Sequence, residues 1–330
     1  MIALFKQKSP ANIILLFIFG LLIKLPLFLY PKAVTATEND GRLYHAFIDL
    51  IKPAAPGGAL LAAMVAFLLL YTQALMINYL VNEYRMTSRQ TFLPGMAYML
   101  ITSLLPQWSI LSAALVSNTF IILIFTSLFR LYNLGAANGK IYNIGLLAGI
   151  TSFIFFPSLL FVLAILMGIM ILRPFRLNEL VLLLTGAATP YYFYAAYLFL
   201  TDQLDVDHFF PEVYIQVPEV QRSLWLVAST LLLTIPFLIG GYYIQNQLRK
   251  MLIQARKNWS ILLLFLLLAF LVPFVNSTQS FHTWVLTTAP FATFHACAYL
   301  YPPRKWLPLV LFIAMLVFIL TQQYITPAWH

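Results

Sequence analysis

Two stretches of this chain, Ile261–Val272 and Leu307–Leu320, are apolar on every face, and this property narrows the fold more than any other. A surface helix of a soluble domain keeps a polar face. In a bilayer the backbone must satisfy its own hydrogen bonds, so only helices and closed barrels span it. Barrel strands alternate apolar and polar residues; these stretches do not, so they are helical. Composition agrees: 62% of the 330 residues are hydrophobic and 9% are charged, against about 25% charged in ordinary soluble domains. A soluble domain of this length has too little interior for so much apolar surface, whereas lipid solvates it directly. The expected fold class is all-α, a polytopic membrane protein.

Eleven apolar segments are read, approximately 12–30, 58–80, 91–105, 109–129, 141–156, 157–172, 179–200, 224–245, 259–274, 283–301 and 306–326. A spanning helix needs about 20 residues, and several of these are shorter. Residues 141–172 are long for one upright helix and short for two. Proline removes a backbone donor and crowds the preceding turn, so the segment is split at Phe155-Phe156-Pro157-Ser158. The split also brings Lys140 and Arg173 to one side.

Charge orients the scheme. With the amino terminus inside, the cytoplasmic loops hold fourteen basic residues: Lys6, Lys8, Arg85, Arg89, Arg130, Lys140, Arg173, Arg176, Arg249, Lys250, Arg256, Lys257, Arg304 and Lys305. The outer loops hold four, namely Lys32, Arg42, Lys52 and Arg222. This positive-inside bias implies a cytoplasmic amino terminus and a carboxyl terminus on the opposite face, which is the periplasmic one on the expectation of a bacterial inner-membrane protein. The net charge of +9 thus sets topology, and nucleic-acid binding is not expected. The sole cysteine, Cys297, excludes an internal disulfide and reads as a packing residue. Lys6 and Lys8 before an apolar run, with Val34-Thr35-Ala36 after it, resemble a signal peptide, but the run of about 19 residues exceeds the usual h-region of about 7–15. It reads as an uncleaved anchor, and residues 1–330 as a single integral membrane domain.

The acids are skewed outward: Glu38, Asp40, Asp49, Asp202, Asp205, Asp207, Glu212 and Glu219 are outside, and only Glu83 and Glu179 inside. They fall in the two longest polar stretches, 31–57 and 201–223, and long loops in compact proteins are often functional. In the first loop, Arg42, His45, Asp49 and Lys52 are spaced by three, four and three residues and share a helix face, while Leu43, Phe47, Leu50 and Ile51 lie on another. This predicts an amphipathic interfacial helix with Asp40 as N-cap and Pro53 at its end. Glu38 and Asp40 then either cap and solvate the loop or supply a general base beside the membrane. In the second loop, Asp202, Asp205 and Asp207 either form a solvated acidic loop or hold a divalent cation through hard oxygen ligands; no glycine-bearing calcium loop is present. No other cofactor is expected.

Lys24, inside the first segment, either snorkels to the outer interface or meets a phosphate, Glu38 or Asp40, since intramembrane charge is costly. His208, His282 and His295 read as hydrogen-bonded structural residues. Asn118, Gln279 and Ser280 either line a polar cavity or bond between helices. Walker A, GxSxG, HExxH and GxGxxG patterns do not occur, which argues against ATPase, serine-hydrolase, zinc-protease and dinucleotide chemistry.

Two resemblances follow from particular residues. The opening Met1-Ile2-Ala3-Leu4-Phe5-Lys6-Gln7-Lys8-Ser9-Pro10-Ala11-Asn12, with Lys140-Ile141-Tyr142-Asn143 leading to the stretch from Ala148 to Ser158, resembles an uncharacterised family of bacterial polytopic inner-membrane proteins. The layout also resembles the C-type glycosyltransferase superfamily, which has an acid in the first outer loop, an interfacial helix after it, and an outer loop after the seventh membrane helix. Glu38-Asn39-Asp40-Gly41-Arg42-Leu43-Tyr44 stands where that superfamily has its acidic motif.

This second resemblance covers 1–223 as a glycosyltransferase-like module, followed by C-terminal helices over 224–330. It implies transfer from a polyprenyl-phosphate-linked sugar at the outer face. Asp40 or Glu38 would be the base, with Arg42, Lys52, Arg222 and Lys24 offsetting lipid-phosphate charge. The large outer domain of many members is missing. A non-catalytic integral subunit with envelope protein partners is the alternative reading, and a transporter a further one. The discriminating feature is a groove joining the acids to the lipid phase.

Overall fold

In a computed structural model the chain is helical, and every apolar segment read above coincides with a helix. The structure describes residues 2–34, 40–51, 58–204, 209, 211, 213–217, 223–275 and 281–325. In chain order the helices are α1 (Ile2–Phe5), α2 (Ala11–Ile23), α3 (Leu25–Leu29), α4 (Arg42–Ile51), α5 (Gly58–Glu83), α6 (Leu93–Ile101), α7 (Ala113–Phe129), α8 (Asn138–Ile154), α9 (Phe161–Leu172), α10 (Leu177–Leu200), α11 (Leu224–Gln247), α12 (Ile253–Leu271), α13 (Thr288–Leu300) and α14 (Trp306–Ile325). Short 3-10 turns extend several of them, and no β-strand forms among the described residues.

Four helical stretches there are long and apolar enough to cross a membrane: Gly58–Glu83, Leu224–Lys250, Ile253–Phe274 and Trp306–Gln323. Ala11–Ile23, Ala113–Phe129 and Phe156–Leu172 are shorter apolar helices. Length and composition therefore establish a helical protein with several candidate spans, four of them full length.

The expected break near Pro157 is present. α8 ends at Ile154, Phe155 turns extended (φ −145, ψ 102), and Pro157 opens a 3-10 turn that leads into α9. Packing gives an independent reason for the break. Gly145 of α8 sits against the backbone of Leu183 in α10, and Gly149 against Ala187 and Pro190. Residue numbers rise together along both helices, so α8 and α10 run parallel, and α9 must carry the chain back between them. The four-residue spacing of Gly145 and Gly149 is the small-residue motif that lets helix backbones approach closely in lipid.

Several polar residues inside the helices are partnered across them. Gln73 of α5 donates to the Leu115 carbonyl at 2.8 Å and to Thr119 at 2.7 Å. Tyr98 of α6 donates to the Gln73 Oε1, and Asn118 of α7 donates to Tyr98 at 3.1 Å. Asn118 thus serves interhelical bonding; Gln279 and Ser280, named with it above, lie outside the described residues. His295 pairs with the Leu233 carbonyl at 2.8 Å, and Cys297 is a buried free thiol.

A buried ion pair ties α9 to α10. Arg173 is 7% exposed and Glu179 2%, and they pair at 2.8 Å. The remaining guanidinium protons go to the carbonyls of Leu131, Leu134 and Gly135, which clamps the turn after α7. Breaking a buried pair by removing one partner leaves an uncompensated charge and costs about 3–5 kcal/mol. Arg173→Ala is therefore expected to lower unfolding stability in micelles by about that amount. Arg176 is exposed and lies 3.9 Å from Glu179, so Arg176→Ala should change stability by less than about 1 kcal/mol. Equal losses in a denaturant titration would show that the buried clamp is not special.

Candidate functional site

The end of α8 creates the site. The last carbonyls of a helix lack intrahelical partners, and here the break at Phe155 leaves one of them open to the first polar loop. The Gly41 N–H donates to the Ile154 carbonyl at 2.9 Å, and Asp40 bridges antiparallel to Phe155. A Cβ at residue 41 would come closer than 3.0 Å to the Phe153 carbonyl oxygen, so only glycine fits this approach. The Gly41 carbonyl then accepts from the amides of Tyr44 and His45 at 2.9 and 3.1 Å. Gly41, rather than Asp40, holds the N-cap position of α4, because the backbone pairing on α8 shifts the helix start by one residue. Asp40 is fixed by that pairing.

α4 forms as the periodicity predicts, but its apolar residues divide between two faces. At about 3.6 residues per turn, Tyr44, Ile48 and Ile51 fall together and are buried, while Leu43 and Leu50 fall on an adjoining face and are 47% and 80% exposed. Arg42, His45 and Asp49 occupy the remaining sector. Such a helix offers one face to protein, one to an apolar medium and one to water, which is the pattern of an interfacial helix. Tyr44 anchors it by donating to the Leu111 carbonyl at 3.3 Å. Burial and the nearby Asp40 carboxylate hold the Tyr44 phenol well above its ordinary pKa.

Beside Asp40 lies a cavity of about 170 Å³ that includes Arg42, Ser152, Phe153, Tyr191 and Tyr194 in its lining. The Arg42 guanidinium stands 4.9 Å from the centre of the Tyr194 ring, a cation–π arrangement. Ser152 and Tyr191 share a hydrogen bond of 2.6 Å. The Tyr194 hydroxyl is buried without a hydrogen-bond partner among the described residues. A buried orphan hydroxyl calls for an explanation, commonly an unseen polar occupant.

Behind Asp40 runs a strap from Pro106 to Ser112, a 3-10 turn followed by extended chain. The Gln107 side chain accepts from the Phe281 amide at 2.7 Å, and its carbonyl pairs with His282 at 2.9 Å. Burial pulls the His282 imidazole below its ordinary pKa, opposed by the Gln107 carbonyl and the Asp40 carboxylate. Lys24 also ends on this strap. It is 1% exposed, and its Nζ donates to Ser109 at 2.8 Å, while Ser109 donates to the Thr102 carbonyl at 3.0 Å. The expectation that Lys24 snorkels to the interface is corrected by this contact: a hydroxyl within reach replaces water as its partner. Trp108 of the strap, with Phe270, Phe281 and Trp284, lines an apolar groove of about 320 Å³.

The structure thus brings Asp40 and Arg42 to one cavity and places Lys24 on the strap behind it. Glu38, Lys52 and Arg222 lie outside the described residues, as do Asp205, Asp207 and His208. Asp202 is exposed and takes a left-handed conformation (φ 54) just after α10, with the Gln203 amide returning to the Leu198 carbonyl at 2.9 Å. Among the described residues no group of three His, Cys, Asp or Glu is placed to hold a metal ion. Ser152, Tyr191 and Tyr194 were not singled out from sequence. Their signal is the run Tyr191-Tyr192-Phe193-Tyr194 after Pro190, which also reads as ordinary interfacial aromatics. Comparison with protein-family models, curated proteins and solved structures finds no match. The two resemblances rest on the quoted residues alone.

Proposed function

We propose that this chain is a membrane-embedded glycosyltransferase-like protein acting at the periplasmic face on a polyprenyl-phosphate-linked sugar, in envelope glycan or glycoconjugate assembly. The observation that supports it best is the juxtaposition at Asp40: a carboxylate on pinned backbone, beside a cavity that also holds a guanidinium and an orphan buried hydroxyl. In the proposed reaction Asp40 takes the proton of an acceptor hydroxyl, and that oxygen attacks the anomeric carbon. The bond from that carbon to the phosphate oxygen breaks, and its electron pair leaves with the lipid phosphate. Arg42 offsets the developing charge. The aromatic walls and few polar groups suit a sugar ring, and the apolar groove lined by Trp108 and Trp284 suits the isoprenoid chain. Holding the base on fixed backbone favours a near-attack geometry.

The same proposal takes all eleven segments as crossings, with the amino terminus in the cytoplasm. A reporter fused after His330 is then expected to be active in the periplasm only. Cytoplasmic activity would require a different number of crossings.

The alternative of a non-catalytic envelope subunit is favoured by one observation. The cavity at Asp40 is the smallest of the three described, at about 170 Å³. Asp40→Asn separates the readings, because asparagine keeps the backbone pairing and the shape but cannot accept the proton. It is expected to abolish any cellular phenotype the wild type complements, at unchanged membrane abundance. Glu38→Gln is the companion variant. Full complementation by both variants at normal abundance would replace the enzyme with the subunit.

A further inference from the structure

The largest of the three cavities described lies at the carboxyl end of α5. That helix of 26 residues spans about 39 Å at about 1.5 Å per residue, and its carboxyl end opens on a cavity of about 500 Å³. The charged residues in the lining are Arg85, Arg89 and Lys250, all cations, joined by the neutral donors Ser88, Gln90 and Gln247. Glu83, the acid nearest in sequence, is exposed and not part of the lining. None of the three cations makes an ion pair among the described residues. Lys6 adds to the field: burial lowers its pKa, and Arg89 and Lys305 lower it further by repulsion.

The loop that carries Arg85 and Arg89 is held on several sides. Asn82 and Thr91 bond reciprocally at 2.8 and 3.0 Å. Trp259 donates to the Met86 carbonyl at 3.0 Å, and the Ser88 amide donates to the Tyr301 hydroxyl at 3.0 Å. At the head of the loop, the Met86 amide returns to the Val81 carbonyl and the Arg85 amide to the Asn82 carbonyl. This is the Schellman closure, whose left-handed position normally takes glycine. Here it holds Arg85 at φ 47. A bulky residue in that conformation is strained, and observed strain of this kind clusters at ligand clamps. Glycine would close the helix more comfortably but would carry no charge into the cavity.

We propose that this cavity is a binding site for a phosphate-bearing anion, with Arg85, Arg89 and Lys250 as its ligands. A guanidinium matches phosphate oxygens in bidentate fashion and an ammonium adds a point charge. The volume leaves room for a diphosphate or for a phospholipid headgroup, so the phosphate comes either from solution or from an anionic lipid.

The test uses the full chain in neutral detergent micelles and in nanodiscs. Binding of inorganic phosphate and of pyrophosphate is measured by calorimetry. Retention of phosphatidylglycerol against phosphatidylcholine is measured by native mass spectrometry. Binding in the first arm identifies a soluble phosphate, and selective retention in the second a lipid headgroup. The informative variant is Arg85→Gly, which is expected to leave the unfolding midpoint unchanged or raised while weakening binding by about tenfold or more. Lys250→Gln serves as a second variant away from the strained turn. The proposal is overturned if none of these probes binds above the phosphatidylcholine control, or if both variants bind as tightly as wild type.

Discussion

The hydrogen bond from Gly41 to the Ile154 carbonyl at 2.9 Å is the contact on which the seating of the first polar loop and of α4 depends. A helix that ends inside a membrane protein leaves carbonyls that lipid cannot satisfy. Pro157 forces such an end, and the first polar loop supplies the missing donor. Three consequences follow from one contact. The loop is seated on α8, Asp40 is paired with Phe155, and the Gly41 carbonyl starts α4. The base proposed for catalysis is therefore positioned by backbone.

Charge inside the structure obeys the same economy of partners. Lys24 is buried on a hydroxyl whose own proton is committed to the Thr102 carbonyl. Arg173 is buried on Glu179 and three carbonyls. Arg85, Arg89 and Lys250 differ, since they surround open volume and pair with no acid among the described residues. Desolvated charges that hold the fold carry their partners with them, whereas these three are arranged around space.

The helices were legible because their causes are local. An all-round apolar run, a proline in a stretch too long for one span, and the repeat through Arg42, His45 and Asp49 each lie within a few residues. The Gly145-x-x-x-Gly149 spacing is present in the sequence too, but its packing on α10 is seen only in the structure. What escaped is long-range. Lys24 meets Ser109 across 85 residues of sequence, and nothing local to either residue names the other. The one-residue shift of the N-cap from Asp40 to Gly41 arises from pairing with α8. The division of the α4 apolar residues has a similar cause, because periodicity cannot tell a face covered by protein from one left to lipid. Tyr194 was hidden by its company, being one of several aromatics at the end of an apolar helix.

The central functional claim is that the cavity beside Asp40 receives a lipid-linked phosphosugar. It is tested most directly by photolabelling the purified chain in nanodiscs with a photoreactive polyprenyl-phosphate sugar, followed by peptide mapping. The expected result is labelling of peptides containing Ser152–Phe156 and Tyr191–Tyr194, competed away by unlabelled polyprenyl-phosphate sugar. Labelling spread evenly over the lipid-facing helices, or unaffected by competitor, would contradict the claim and leave Asp40 as a structural residue of a membrane scaffold.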